Sequence, residues 1–418
     1  MLASEGVVTM RQLVAMRLTV AVAVVVGASV LAIPRAAAAD EPTVRWERSA
    51  GVELEAVATA EDGDAVVTGS AHRGDERHPA MIVRRYDRSG DIVWTRWWHP
   101  QGTRVDGLDV AIGPDGGIYV VGTVARANLE GGGFFIRKYG PSGAFLWKDI
   151  SDGGYGRGVG VPEIATGVAV SGTNVAVVGH EYGCCGEMID DGWVRLYRSD
   201  GLQRWTRDFE VPGVANRTND TPLAVEADAT GMYVGGRVEM TPRTLDSVVV
   251  DSEAVVQKLR YDGTRAWSWL LEDVAVKDND TVTALAIRDG AVFAAGYGNG
   301  VRWPRSEGML ARFTRNGDVR WMRTWGEPLD RIRPADVSTS PSGLVLVTGS
   351  RRHDGRFSST LFLRTFAPDG TARARTVLQA LEDTAGTGVD AAPGGAYVSG
   401  WVEVSADVHG GRLYRYVV

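Results

Sequence analysis

The sequence predicts an all-β chain built from seven similar four-stranded units, and three observations carry that expectation. A hairpin that ends in tryptophan recurs along the chain. A β-branched strand closing on glycine recurs seven times at nearly constant spacing. No segment after the first 40 residues shows apolar positions at helical three- and four-residue intervals.

The units begin only after a leader. Arg11 and Arg17 precede an apolar run from Leu18 to Ile33, and "RAAAAD" follows. A charged stretch, a short apolar stretch and small residues before a cut are the marks of a cleavable export signal, with cleavage expected after Ala39. The apolar run is shorter than the roughly 20 residues a membrane helix needs. Residues 1–39 are therefore expected to be a signal peptide, and residues 40–418 one secreted or envelope-exterior domain with no membrane span. Without the leader the chain keeps 42 basic and 51 acidic residues, a net charge of −9, with no long run of like charges. Nucleic acid is not the expected partner, because it calls for a concentrated basic face.

The hairpin copies are "RRYDRSGDIVW", "IRKYGPSGAFLW", "VRLYRSDGLQRW", "QKLRYDGTRAW" and "ARFTRNGDVRW". In each, a ring or a leucine stands four residues before Gly and a Trp four after it, as in Tyr86, Gly90 and Trp94. A sixth copy, around Phe366 and Gly370, has Ala374 in the Trp position. The Gly supplies the positive φ that a tight hairpin needs. The second pattern, "DAVVTG", "GGIYVVG", "NVAVVG", "GMYVGG", "AVFAAG", "LVLVTG" and "GAYVSG", closes on glycines 69, 122, 179, 236, 296, 349 and 400. Four short strands per unit of this length is the pattern of propeller blades.

Seven copies of the second pattern meet only six of the first. The seventh is completed by "GRLYRYVV" from the C-terminus and "TVRWERS" from the N-terminus, with Trp46 in the Trp position. The expected fold is a seven-bladed β-propeller of four antiparallel strands per blade, closed by pairing strand 42–48 with strand 411–418. Closure removes the open sheet edge. The recurring tryptophans are expected to pack between blades, since an element present in every unit normally serves the stacking.

These residues carry a resemblance. The "D-x-x-G-x-x-x-W" turn, as at Asp87–Trp94, resembles the repeat of propellers similar to pyrroloquinoline-quinone dehydrogenases. The "G-x-x-Y/F-V-x-G" strand is similar to the SBBP (seven-bladed β-propeller) repeats of exported bacterial proteins. Together they cover the mature chain almost end to end. The resemblance implies blade geometry and says little of activity, because such propellers serve as scaffolds, binding platforms and enzymes. The quinone enzymes typically have eight blades and long inserts, where this chain has seven short units.

If the innermost strand runs from one face of the ring to the other, every tight turn falls on the second face and every long connection on the first. Binding is expected on the first face. Sixteen residues before each strand-closing glycine stand Glu53, Asp106, Glu163, Asp220, Asp280, Arg333 and Thr384, with Asp383 beside the last. These positions are expected to ring the channel mouth. Two readings remain open: capture of a cation such as calcium by converging carboxylates, and local capping of backbone N–H groups. Cys184 and Cys185, the only cysteines, are adjacent in a loop of the same face, where an oxidising compartment permits a strained vicinal disulfide. Quinoprotein alcohol dehydrogenases carry such a pair near the quinone. A third reading adds His180 to the two thiolates as soft metal ligands.

No nucleophile triad, phosphate loop or zinc-protease helix is present in the sequence. The expected function is that of an exported, monomeric, non-catalytic propeller that binds a protein or cell-envelope ligand, with no cofactor required. The alternative is an enzyme working at the channel mouth: a metal-assisted hydrolase or lyase, or a dehydrogenase dependent on pyrroloquinoline quinone.

Overall fold

The computed structural model describes residues 41–418, apart from segments 73–77, 127–131, 152–162, 182–190, 212–218, 240–251, 272–278, 299–305, 328, 354–357, 378–382 and 406–407. The expected leader and its cut at Ala39 lie outside the described residues, as do Cys184 and Cys185. Among the described residues no helix is long and apolar enough to cross a membrane.

Seven four-stranded antiparallel sheets follow one another around a ring. Blades one to six comprise residues 53–98, 103–150, 163–208, 220–270, 281–325 and 330–377, each with its strands in chain order from the channel outward. Blade seven takes three strands from 384–417 and its outermost from Thr43–Ser49. That strand pairs Thr43 with Val417 and Trp46 with Arg415, so the chain ends close the ring as expected. The closing strand begins one residue later than 42, and its partner, Val408–Val417, starts three residues before 411.

The core is divided into seven wedges, one at each seam between neighbouring blades. Alternate residues of each strand face the two flanking seams, so second and third strands such as AVVTGSA and AMIVRRY are buried on both sides.

The strand-closing glycines have a specific cause. Every innermost strand carries a β-bulge, at Glu55, Leu108, Thr166, Leu223, Thr283, Ala335 and Thr387. Each bulge tips the backbone of the first strand onto the second, where the glycine stands. A Cβ on Gly69 would lie 1.9 Å from the Glu53 carbonyl oxygen, and one on Gly349 would lie 2.1 Å from that of Arg333. No side chain fits there.

The hairpin glycine and tryptophan serve different seams. Each tryptophan of the hairpin motif lays its ring over the turn glycine of the next blade and donates its indole N–H to a carbonyl of that turn. Trp94 bonds the Pro141 oxygen at 3.1 Å, Trp147 that of Ser199 at 3.0 Å and Trp321 that of Pro368 at 3.0 Å. Trp46, Trp205 and Trp267 do the same toward Arg88, Tyr261 and Arg315. Gly201, at φ 96°, would put a Cβ 2.9 Å from the Trp147 ring, so left-handed backbone and close approach both require glycine.

Candidate functional site

The innermost strands line a channel of about 520 Å³. Their inward edges have no further strand to pair with, so their N–H and C=O groups need other partners. Side chains of the adjacent blade provide them. Bulge threonines donate to the next blade's carbonyls: Thr166 to Pro222, Thr283 to Pro334 and Thr387 to Leu54, each at 2.9 Å. Carboxylates accept from the next blade's amides. Asp109 takes the Val168 N–H at 2.8 Å, Asp336 that of Val389 at 2.7 Å and Asp390 that of Thr59 at 2.7 Å. Asp109, Asp336 and Asp390 also accept the amide that follows them in sequence, and Ser338 accepts from Ala391 and donates to Asp390.

The enclosure raises the pKa values of these groups. Burial pushes Asp109 up to about 7 and Asp336 up to about 8, against the hydrogen bonds that favour their ionised forms. Asp390 is raised by burial as well. Glu226 goes up to about 8, first through burial and then through the facing charges of Asp109, Asp390 and Asp336. Glu55, near the mouth, is pushed to about 7 by burial, with Glu53 and Asp106 adding to it. The channel can thus hold protons near neutral pH. Its aspartates act as ties between blades. Among the described residues no group of three or more His, Cys, Asp or Glu is arranged to hold a metal ion.

The residues expected to ring the mouth do not form one ring. Glu53, Asp106 and Arg333 stand two positions before their bulges, whereas Glu163, Asp220, Asp280 and Thr384 stand three before theirs. The cause is turn length. Blades one, two and six join their first two strands through five residues, and blades three, four, five and seven through two. A count back from the glycine therefore slips by one residue, and a one-residue slip reverses the side chain.

Glu53 and Arg333 are exposed, and Asp106 is half-buried. Arg333 lies 5.7 Å from the centre of the Tyr297 ring, and Asp106 is held by Arg104 at 2.8 Å. The other set points between blades. Asp280 and Thr384 are buried, and Asp220 is half-buried. Glu163 is buried, accepts from the Ser151 hydroxyl and pairs with Arg195 at 3.1 Å. Burial pushes it up to about 7 despite that guanidinium, with Glu181 adding to the rise. Asp383 accepts the Ser359 amide at 2.6 Å, a backbone cap.

The channel carboxylates were the set that counting from glycine missed. Counting within each turn class finds part of it. Asp109 and Asp336 both stand thirteen before their glycine in long-turn blades, and Glu226 and Asp390 both stand ten before theirs in short-turn blades. His180, on the second strand of blade three, is buried.

Fold and channel define this chain as a closed seven-bladed β-propeller. No family model matches the sequence, and no curated protein matches it. Among solved structures it is similar to Raptor of Chaetomium thermophilum, at 10% identity and a TM-score of 0.51, over 89% of this chain and 28% of that one. It is also similar to the β-propeller domain of the Trilobed protease from Pyrococcus furiosus, at 10% identity and a TM-score of 0.46, over 87% and 95% of the two chains. A third is the acylaminoacyl peptidase of Pyrococcus horikoshii, at 11% identity and a TM-score of 0.47, over 84% and 49%. The chain spans less than a third of the length of the Raptor chain. These likenesses are of fold.

Proposed function

We propose that this chain is an exported propeller of the SBBP kind that works as a binding or scaffold module, with its ligand taken on the face where the innermost strands begin. The observation that carries the reading is the asymmetry of the two faces. On one, no connection between strands exceeds five residues. On the other, the connections include 151–162, 182–190, 209–219 and 240–251, all anchored on strand ends of one rigid ring. Long segments on a fixed scaffold can vary their contacts without disturbing the blades.

The test is capture from cell-envelope extract by the mature chain, compared with variants whose 182–190 and 240–251 segments are exchanged for short turns. Partners retained by the parent and lost by the exchanged chains support the reading. Equal capture by all of them sinks it. Elemental analysis and a visible spectrum of the same preparation address the enzymatic alternative. Bound calcium or a quinone absorbance would move the assignment to a channel-mouth enzyme.

A further inference from the structure

The seam between blades five and six holds a cavity of about 180 Å³, separate from the channel and opening toward the proposed binding face. Arg364 lines it, with Arg351, Arg375, Trp325, Phe362 and Ile332. The Arg364 guanidinium packs against two neighbouring rings, 5.2 Å from the centre of Trp325 and 5.2 Å from that of Phe366. Its Nε is fully covered and has no hydrogen-bond partner. Arg375 stands directly opposite on the outermost strand. Burial lowers the Arg364 pKa, and the Arg375 charge lowers it further. Two guanidinium groups therefore face each other at the edge of a void. The acids beside them do not resolve this. Asp330 is occupied by Arg351 at 2.8 Å, by His353 at 3.0 Å and by the Glu327 amide. Glu327 itself is exposed at the rim.

The repeat shows what this arrangement lacks. The same third-strand position holds Arg84 in blade one, Gln257 in blade four and Arg195 in blade three. Arg84 donates to the Ala50 carbonyl at 2.7 Å, and Gln257 to that of Glu210 at 2.7 Å. Arg195 lies over Phe134 and Trp193, as Arg364 lies over its two rings; its Nε is unpartnered too, but its Nη2 meets the Glu163 carboxylate at 3.1 Å. The blade-six counterpart of Glu163, three residues before the bulge, is Ile332. Blade six therefore keeps the ring-packed guanidinium, replaces the carboxylate by an aliphatic side chain, and leaves space. A buried guanidinium donor without an acceptor is costly, and a planar carboxylate is the acceptor its fork fits best.

We propose that this cavity binds a carboxylate anion, held by Arg364 and Arg375 where blade three uses its own Glu163, with Trp325 and Phe362 against the apolar part of the ligand. The space suits a short organic acid or the end of an acidic side chain, being the room of about six waters. The site rests on the cavity and on the blade-three precedent, so it stands or falls apart from the long segments of the proposed binding face.

The test titrates the mature chain with phenylacetate, and in a second arm with a short peptide bearing one Asp and its Asn counterpart. The arginine Nε–H resonances and the melting temperature are followed. Arg364 is expected to shift and its Nε–H to become protected, with about a tenfold or larger loss of affinity in Arg364→Gln. Ile332→Glu copies blade three. It is expected to raise the melting temperature and to abolish binding of both probes, a result that a misfolded variant cannot give. Tighter binding of phenylacetate assigns the site to free acids, and tighter binding of the Asp peptide assigns it to a protein carboxylate. No shift at Arg364 with either probe, or equal binding by Arg364→Gln, overturns the proposal.

Discussion

Six of the seven seams are fastened at the rim by a tryptophan, and the seam between blades six and seven is not. Ala374 stands in the Trp position of blade six. In every other seam the Trp reaches the turn between the third and fourth strands of the next blade. Blade seven has no such turn, because its third strand ends at Val417 and its fourth begins at Thr43, at opposite ends of the described residues. A tryptophan there would have neither glycine to cover nor a turn carbonyl to bond. Instead Thr376, two residues on, donates to the Pro42 carbonyl at 3.0 Å. Among the described residues this seam also has the smallest wedge, eight buried residues against ten to thirteen elsewhere. It is tied more heavily at the channel end, by three bonds, Asp336 with Val389, Ser338 with Ala391 and Ser338 with Asp390, against the two of the seven–one seam. The contrast teaches that the rim fastening needs a covalent turn, and that the seam beside the chain ends leans on its inner edge.

The largest way to break the comparison is to remove the closing strand. Deleting residues 40–49 strips blade seven of its outer strand and the seven–one seam of Trp46, which packs 5.9 Å from Tyr397. The new edge is unpaired and invites association. The expected result is a melting temperature lower by more than about 10 °C, with oligomers on size-exclusion chromatography. A truncated monomer that melts like the parent would mean that the ends do not close the ring.

Next in size is a rim tryptophan. Trp147 stacks on Tyr197, meets Tyr119 edge-on and covers Gly201. Trp147→Ala should cost roughly 3 kcal/mol, and Trp147→Phe, which removes the N–H bond to Ser199 while keeping a ring, nearer 1 kcal/mol. Denaturant titration measures both. In the parent chain Ala374→Trp should add nothing. In a circular permutant that joins Val418 to Thr43 through an Asp-Gly turn, with new ends at Gln101 and Gly102, the same substitution should stabilise by about 1 kcal/mol. Stabilisation in the unpermuted chain would show that the turn is not what the seventh seam lacks.

Much of this was legible beforehand, and the failures share one cause. The strand pattern, the blade number and the closure all follow from motifs of fixed spacing, such as Gly90 to Trp94. The expected mouth positions split into two sets because they were counted across turns of two lengths, which puts Glu163 at the seam, where it holds Arg195. The pairing of each Trp with the next blade's glycine was hidden because the nearer glycine in sequence looks like its partner. Asp109 and Asp336 are isolated acids in sequence, and only the ring turns them toward a neighbour's amide. Local spacing is readable; which blade a side chain faces depends on register.

The smallest predicted effect separates the inner ties from the charge they carry. Glu226 faces Asp109, Asp336 and Asp390 across the channel and holds no neighbouring blade. Its folded pKa is raised from 4.5 to about 8, so between those values the folded chain keeps a proton that the unfolded chain releases. Stability therefore falls as pH rises across that window, and whatever Glu226 contributes in acid is lost above about pH 8. Glu226→Gln should match the parent near pH 5 and exceed it by about 1 kcal/mol near pH 8.5, with Asp109 and Asp336 still supplying a shallower slope of the same sign. Thermal melts at the two pH values test this. A variant that gains nothing at high pH would show that channel water already screens the four carboxylates, and that the inner ties hold the six–seven seam without a charge penalty.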